Sequence, residues 1–482
     1  MPVPVKILKK YFGYSAFQGL QEPIINRLVD KKKHSLVLMP TGSGKSLCYQ
    51  IPALIFDGGT LVISPLIALM QDQVDTLRKR KIPASFINST VSKTDRTKRL
   101  NDFISGKLKM LYVTPERFRK SEFVDKIENA EISLLAVDEA HCISEWGHDF
   151  RPDYSRISEF REIIGNPLTI ALTATATPEV QKDIIDKLGL SADEINVFHQ
   201  GIERPNLRLE AADVWGDDEK MKNILKATNE FQGSTIIYFS LIKTLDHFSK
   251  LLQSKGIQHL VYHGKLNAKE RKFIQREFLE GDNKILLGTN AFGMGIDKPD
   301  IRLIIHAEIP SSIESYYQEI GRAGRDGKDS LCLLLYDQND LYTQMEFIKW
   351  ANPSAEYYER VFDVLRKDIS KVNSMGIEYL REEISFKDRN DFRIETVLSM
   401  LDRYGVTEGN IENSRLRLVE PLHLNLMDDN RLEEKLMNDN KKLLAMVNYY
   451  KEERCRRVNI SDYFGFPGEE ACMNCDSCTH NL

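Results

Sequence analysis

The sequence contains no long apolar run and no excess of positive charge. No stretch of 18 or more apolar residues occurs, so no segment is suited to cross a bilayer as a helix. The first residues, MPVPVKILKKYFGY, lack the apolar core of a secretion signal, and we expect a cytoplasmic protein with no membrane partner. The formal net charge is -5, so any nucleic-acid surface must be a local groove on an acidic body.

Cysteine is also scarce, with 7 in 482 residues, which excludes a disulfide-stabilised scaffold. Cys48, Cys142 and Cys332 are scattered through apolar or motif segments, and we interpret them as reduced core thiols. The remaining four cysteines are clustered near the end of the sequence.

Two stretches alternate short apolar runs with amphipathic segments, which is the rhythm of a parallel sheet covered by helices. Continuous Val, Ile and Leu runs fit strands that are buried on both faces. In the first stretch these runs lie at 35–39, 60–64, 110–114, 133–138 and 168–173. In the second they lie at 234–239, 259–262, 284–289, 302–306 and 330–336. The sequence therefore predicts two α/β domains in tandem, joined near Pro205.

The strand rhythm ends after Asp337, and the rest of the chain is predicted to be mainly helical. RIETVLSMLDRYG places Ile394, Val397, Leu398 and Leu401 on one helical face, and a possible hairpin follows. This order fits a winged helix, and a helical spacer fits equally well. The predicted divisions are 1–205 and 206–337 for the two α/β domains, 338–425 for the helical insert and 426–482 for a helical module with the cysteines.

MPTGSGKS, residues 39–46, lies between a predicted strand and a helix and has the composition of a phosphate-binding loop. Gly42 and Gly44 allow backbone N–H groups to surround phosphate oxygens, and the following helix adds its dipole. Lys45 is expected to reach the β- and γ-phosphates of a nucleotide, and Ser46 to bind Mg²⁺. The candidate nucleotide-binding residues here are Thr41, Gly42, Ser43, Gly44, Lys45 and Ser46.

VDEAH ends a buried apolar strand about 90 residues after this loop. Asp138 is predicted to hold Mg²⁺, and Glu139 to orient and deprotonate the attacking water. A second basic motif, YYQEIGRAGRDG, lies in the second domain and places Arg322 and Arg325 three residues apart. An arginine that crosses a cleft to the γ-phosphate would make ATP hydrolysis depend on domain closure.

Together these motifs closely resemble the RecQ family of superfamily 2 DNA helicases, over about residues 1–337 and 440–482. FGYSAFQGLQ, SPLIALMQDQ, TPER, LTATAT, YHGKL and GTNAFGMGIDKPD also match. The resemblance implies two RecA-like domains, with Tyr14, Gln18 and Gln21 at the adenine and Asp297 near the ribose. It also implies that His141 and Gln318 couple the nucleotide to DNA, and that His263 contacts DNA.

The segment SEWGHDFRP follows DEAH and is unusually aromatic. In the family it forms a loop that senses single-stranded DNA, and base stacking is sequence-tolerant and contributes about 1–3 kcal/mol per base. The resemblance thus assigns DNA contacts to Trp146, His148, Phe150 and Arg151. A core role for Trp146 is disfavoured by its polar neighbours.

Cys455, Cys472, Cys475 and Cys478 supply the four thiolates of a tetrahedral structural zinc site. Their spacing also occurs in iron–sulfur proteins, and the family resemblance favours zinc.

The resulting expectation is an ATP- and Mg²⁺-dependent DNA helicase of 3′–5′ polarity that acts in repair and recombination. The expected DNA is single-stranded, tailed or forked, with single-strand-binding or repair proteins as partners and a bacterial cytoplasmic, nucleoid-associated location. The alternatives are a DNA-binding or annealing protein with weak unwinding and an RNA-directed motor. Arg415 and Arg417 are candidate duplex contacts in the insert.

Overall fold

The computed structural model describes residues 3–147, 150–201, 204–281, 284–293, 296, 298–384, 391–466 and 470–479. Two predicted site residues, His148 and Asp297, lie outside these ranges. Among the described residues, every helix is too short or too polar to span a bilayer.

The first domain is built on a seven-stranded parallel sheet with strand order β3-β4-β2-β5-β6-β1-β7. Its strands are β1 His34–Leu38, β2 Gly59–Ile63, β3 Ala84–Ile87, β4 Met110–Val113, β5 Ile132–Asp138, β6 Leu168–Thr173 and β7 Ile195–His199. Its helices are α1 Val3–Ile7, α2 Gln21–Val29, α3 Leu47–Ala53, α4 Ile67–Lys79, α5 Lys93–Ile104, α6 Ser121–Ile127, α7 Ile157–Ile163 and α8 Pro178–Lys187. One apolar cluster covers each face of the sheet, as expected for continuous apolar strands.

The second domain has a six-stranded parallel sheet of order β10-β11-β9-β12-β13-β8. Its strands are β8 Leu207–Asp213, β9 Ser234–Tyr238, β10 Leu260–Tyr262, β11 Ile285–Gly288, β12 Ile301–His306 and β13 Ser330–Tyr336. Its helices are α9 Gly216–Glu230, α10 Ile242–Ser254, α11 Ala268–Glu280 and α12 Ile313–Ile320. The prediction of two tandem parallel-sheet domains is confirmed.

The helical prediction for the rest of the chain is also confirmed. Its elements are α13 Asp340–Ala351, α14 Ala355–Met375, α15 Ile377–Ile384, α16 Arg393–Arg403, β14 Thr407–Glu408, β15 Arg417–Leu418, α17 Asp429–Lys451, α18 Arg456–Tyr463 and α19 Asp476–Thr479. Helices α14 to α16 share an apolar core of their own with the hairpin, in which β14 and β15 pair antiparallel. Ile394, Val397 and Leu401 are buried there, as their spacing predicts.

The cysteine-containing module has a different relation to the rest of the chain, because it shares the core of the second domain. Met446 and Tyr449 of α17 and Phe464 pack into the cluster that covers one face of the second sheet. Asp476 accepts a hydrogen bond from the backbone N–H of Ala211 in β8 at 2.9 Å. The module therefore closes the β8 edge of that sheet.

Candidate nucleotide and nucleic-acid site

The phosphate-binding loop lies at the carboxyl end of β1, where the strand order places it beside the ends of β6 and β5. Gly42 and Gly44 have φ values of 79° and 77°, a left-handed backbone that disfavours other residues. Lys45 Nζ donates to the carbonyls of Met39 at 3.0 Å and Pro40 at 3.3 Å. Burial lowers the pKa of Lys45, and the Glu139 and Asp138 carboxylates oppose this shift. The loop thus holds one half-buried cation, as a phosphate site requires.

Gln21 is positioned against this loop by the start of α2. Its Nε2 donates to the carbonyl of Ser43 at 3.0 Å, and its Oε1 accepts from the backbone N–H of Gln18 at 3.0 Å. A Cβ on Gly44 would lie 2.6 Å from Gln21 Nε2, so the side chain and the loop are in close contact. The side chains of Tyr14 and Gln18 are exposed beside it, and their predicted adenine contacts stay a prediction.

Asp138 ends β5, and Glu139 follows with a left-handed backbone, at a φ of 50°. Burial and then the Glu139 carboxylate raise the pKa of Asp138 to about 7, while Lys45 opposes the shift. A cation would stabilise the charged form of such a carboxylate, which fits the predicted Mg²⁺ ligand. The roles of Asp138 and of Ser46 as metal ligands remain predictions.

A chain of polar contacts connects Glu139 with the second domain. Glu139 Oε2 lies 3.3 Å from His141 Nδ1, and that nitrogen lies 3.0 Å from Thr173 Oγ1 at the end of β6. Thr173 Oγ1 donates to the carbonyl of Thr175 at 3.1 Å. Gln318 Nε2, on α12, donates to Thr175 Oγ1 at 3.3 Å. The predicted coupling residues His141 and Gln318 therefore both lie on one path that crosses the interdomain cleft, with Gln318 at its end in the second domain.

Arg325 is the motif arginine that reaches the phosphate loop. A β-carbon added at Gly42 would lie 3.3 Å from Arg325 Cδ, so the arginine side chain packs directly against this glycine. The hydroxyl of Thr41 also crosses the cleft and donates to the carbonyl of Gly321 at 3.2 Å. Arg322 has a different environment, since it is buried and donates to the carbonyl of Gly293 within the second domain. The predicted catalytic role of Arg322 is thus not supported by contact with the nucleotide loop.

The aromatic-rich loop, residues 144–151, of which the structure describes residues 144–147, 150 and 151, follows His141 of this path in the sequence. Trp146 is 39% exposed. Arg151 Nη1 donates to the carbonyl of Pro65 at 3.0 Å, which anchors the loop to the SPLIAL segment. Phe150 is half-buried. His263 is half-buried in the second domain, and its predicted DNA contact is untested.

The first domain also has a basic cavity of about 370 Å³, which was not predicted from the sequence. One carboxylate, Glu122, lines it together with six cationic residues: Lys93, Arg96, Arg117, Arg119, Lys120 and Lys126. Burial, then Arg96, lowers the pKa of Arg117. Arg117 Nε is buried without a hydrogen-bond partner among the described residues. TPER was the only sequence motif that indicated this site, since the other cations come from α5, from α6 and from the two residues Arg119 and Lys120 before α6.

The four clustered cysteines come together at the edge of the second domain. Their sulfur atoms all lie within 4.8 Å of one another, and Cys455 Sγ lies 4.0 Å from Cys475 Sγ. Four thiolates at Zn–S distances of about 2.3 Å have this separation around a tetrahedral ion. The backbone N–H of Cys472 donates to Cys455 Sγ at 3.3 Å, which stabilises a thiolate.

Comparison with known proteins agrees with this geometry. The family model of the DEAD/DEAH box helicases matches residues 18–184, and that of the helicase conserved C-terminal domain matches residues 218–327. The RecQ zinc-binding model matches residues 421–479, which include all four cysteines. The cluster therefore belongs to a zinc-binding domain.

Two solved structures share the fold at 18% sequence identity. The Saccharomyces cerevisiae Dbp5 structure, bound to RNA and ADP BeF3, has a TM-score of 0.56 and covers 72% of this chain and 91% of its own. The helicase MrfA bound to DNA also has a TM-score of 0.56, over 88% of this chain and 60% of its own.

Among curated relatives, the ATP-dependent DNA helicase RecQ of Bacillus subtilis is 41% identical over 378 residues, which are 78% of this chain and 62% of that protein. The chain thus spans less than two thirds of this relative. The probable ATP-dependent DNA helicase RecS of the same organism is 39% identical over 363 residues, 75% of this chain and 72% of the relative. With both helicase domains and the zinc module matched, the chain belongs to the RecQ family of superfamily 2 helicases.

Proposed function

We propose that this protein is an ATP- and Mg²⁺-dependent DNA helicase that moves 3′ to 5′ along one strand. The observation that carries the proposal is the polar path from Glu139 through His141, Thr173 and Thr175 to Gln318. A path of this kind lets the relative position of the two domains affect the geometry at the water-activating carboxylate. Motor activity needs that dependence, because each hydrolysis step must accompany a domain movement.

The nucleotide chemistry follows from the residues around the cleft. The phosphate loop and Lys45 are expected to bind the phosphates, with Mg²⁺ held by Ser46 and Asp138. Bound Mg²⁺ would neutralise charge on the phosphate oxygens. Glu139 would take the proton of the attacking water, and Arg325 would stabilise the negative charge that develops in the transition state.

DNA is favoured over RNA by the names of the relatives, which are DNA helicases. The fold itself is shared by proteins solved with either nucleic acid. The basic cavity at Arg96 and Arg117 supports binding of a phosphodiester chain, because these cations are concentrated on an otherwise acidic body. Trp146 and Phe150 would add base stacking.

The decisive experiment measures ATP turnover and strand separation together on 3′-tailed, 5′-tailed, forked and blunt DNA, with matched RNA. The proposal expects stimulation by single-stranded DNA and unwinding of the 3′-tailed and forked substrates. ATPase stimulation without unwinding would indicate a binding or annealing protein instead. Stronger stimulation by RNA would indicate an RNA-directed motor.

A residue-level test uses Glu139→Gln, which keeps the shape of the side chain but removes the base. ATP should still bind, and turnover should fall by roughly 10²-fold or more. Lys45→Ala should also weaken ATP binding. Near-normal turnover of Glu139→Gln would contradict the assignment.

Trp146→Ala tests the aromatic-rich loop. Basal ATP turnover should be retained, while its stimulation by single strands should decrease, because one stacking contact of about 1–3 kcal/mol is lost. Full stimulation of this variant would leave the loop without a sensing role.

We further propose a role in DNA repair and recombination, a nucleoid-associated cytoplasmic location and contacts with single-strand-binding or repair proteins. The family membership supports these points. Imaging of a fluorescent fusion after DNA damage, with survival of a deletion strain, would test the role and the location. Co-purification from nuclease-treated lysate would test the protein contacts.

A further inference from the structure

The C-terminal third of the chain binds the aromatic-rich loop through three cationic side chains. Arg431, on α17, forms an ion pair with Glu145, with Nε to Oε2 at 2.9 Å and Nη2 to Oε1 at 2.5 Å. Lys442 Nζ donates to the carbonyl of Gly147 at 2.8 Å. Arg403 Nη1, at the end of α16, donates to the carbonyl of Phe150 at 3.3 Å. Three of the described loop residues, Glu145, Gly147 and Phe150, are thus bound by this part of the chain.

The Arg431–Glu145 pair has the geometry of a specific contact. Both side chains are mostly buried, with exposed fractions of 22% and 28%. Arg431 Nη2 also donates to Tyr404 Oη at 3.0 Å. A bidentate pair that is shielded from solvent holds its partners more firmly than an exposed surface pair.

In this conformation Trp146 lines a cavity of about 800 Å³ between the first domain, α12 and α17. Five carboxylates line the cavity: Glu179, Asp183, Asp186, Glu314 and Glu434. Three lysines also line it, and Lys442 is already bonded to the loop. A net negative recess repels a phosphodiester chain, so a base cannot stack on Trp146 here without phosphates entering an unfavourable field.

Helix α17 also contacts the helix that carries Gln318. The hydroxyls of Tyr449, on α17, and Tyr316, on α12, lie 3.2 Å apart, and both side chains are buried. The same α17 therefore contacts the aromatic-rich loop through Arg431 and Lys442, and contacts α12, the helix that carries Gln318, through Tyr449.

We propose that the Arg431–Glu145 ion pair is a latch that holds the aromatic-rich loop in a DNA-free conformation and keeps ATP turnover low until a single strand displaces it. The proposal rests on the DNA-stimulated ATPase proposed above. Displacement requires Trp146 to leave the acidic recess, and that requires Glu145 to separate from Arg431. Glu145 is only four residues from His141, so a held loop also fixes the segment that positions Glu139.

The latch has a thermodynamic consequence that can be measured. DNA binds the released loop, so the free energy needed to separate the ion pair is subtracted from the free energy of DNA binding. Arg431→Ala should therefore strengthen the response to DNA. It should also raise turnover in the absence of DNA, since more molecules then have a released loop.

Tryptophan fluorescence can report on the environment of Trp146 in the loop, because the chain has only 3 tryptophans and the other two can be replaced. In a background with Trp215→Phe and Trp350→Phe, Trp146 is the sole emitter. Arg431→Ala should make Trp146 more accessible to acrylamide without DNA. It should also lower the oligo(dT) concentration at half-maximal fluorescence change by roughly fivefold, and raise DNA-free ATP turnover by a similar factor.

Lys435→Ala is the matched control. Lys435 lies on the same helix but bonds to Asp439 and to the Ala351 carbonyl. Its substitution should therefore leave the acrylamide access, the half-maximal oligo(dT) concentration and the DNA-free ATP turnover unchanged. Glu145→Ala removes the ion pair from the loop side and should reproduce Arg431→Ala, which covers the case in which the arginine variant does not fold. Reversal of both charges, Glu145→Arg with Arg431→Glu, should restore the wild-type values.

Two results would overturn the latch. One is unchanged acrylamide access in both single variants, which would mean that the pair does not hold the loop. The other is weaker DNA binding in both, which would make the pair a support of the DNA-bound state. Absence of any DNA stimulation in the wild-type protein would refute the proposed function instead, and the acrylamide measurement would still report on the ion pair.

Discussion

At the scale of single residues, Arg322 and Arg325 show how two arginines of one motif can have different environments. They lie three residues apart, but Arg325 packs on Gly42 of the first domain and Arg322 bonds to the Gly293 carbonyl of its own domain. Spacing alone predicts that both face the nucleotide. The left-handed Gly324 between them, with a φ of 55°, separates their directions.

Alanine variants of the two arginines should therefore have different effects. Arg325→Ala should lower ATP turnover by roughly 10³-fold, because transition-state charge is no longer neutralised, and should leave the melting temperature unchanged. Arg322→Ala should lower the free energy of unfolding by about 1.5–3 kcal/mol, because a buried charged donor is removed from a carbonyl. Turnover and thermal unfolding of the same preparations would test this, and equal destabilisation by both variants would contradict it.

Asp153 gives a prediction about pH. Burial raises its pKa to about 7, although Arg119 Nε lies 2.6 Å away and opposes the shift. Glu116 and Asp402 add to the increase. Because the folded pKa is above the unfolded value of 3.8, the native state binds more protons between these pH values, and this group's contribution to stability falls as pH rises toward 7.

Asp153→Asn should remove this dependence. The free energy of unfolding of the variant minus that of the wild type should be larger at pH 8 than at pH 5. The increase should be at least about 1 kcal/mol. Urea unfolding of both proteins across that range would measure the difference. A difference that decreases with pH would mean that attraction to Arg119 outweighs burial.

At the scale of secondary structure, the apolar runs predicted the central strands but not three others. Strand β3 has four residues, of which two are the small Ala84 and Ser85, and its signal is short. Strands β7 and β8 mix buried and exposed residues. β8 becomes covered only because the zinc module packs along it, a contact that no local pattern reveals.

The zinc module gives the prediction at this scale. Cys475 is buried and forms a bridge with Leu209 of β8, so loss of the metal should affect the second domain as well. Purified protein should contain about one zinc and little iron. Cys475→Ser should lose zinc and unfold at lower denaturant concentration, since metal binding contributes to folding. Cys332→Ala, a core thiol outside the cluster, should keep its zinc. Iron with visible absorbance in the wild type would contradict the zinc assignment.

At the scale of the whole molecule, motif residues were predictable because their chemistry requires fixed residue types at fixed spacings. The contacts that Arg403 of the helical insert and Arg431 of α17 make with the aromatic-rich loop were not, because both look like ordinary surface charges in the sequence. Their role depends on how two distant segments pack, and only the structure shows this. The basic cavity was hidden for the same reason, since its cations come from separate elements of an acidic chain.

Charge distribution across the whole molecule leads to the last prediction. If the cavity binds the DNA backbone, each cation that contacts a phosphate releases counterions, and the logarithm of the binding constant falls with the logarithm of salt concentration by about 0.7 per contact for single strands. Arg96→Ala and Lys126→Ala should each reduce that slope by roughly this amount. Both should weaken binding about equally on all sequences.

Lys255→Ala is the control, since Lys255 is exposed at the end of α10 in the second domain. Fluorescence anisotropy of labelled oligo(dT) from low to moderate salt measures the slopes. Slopes equal to wild type in both cavity variants would mean that the strand follows another path across the first domain.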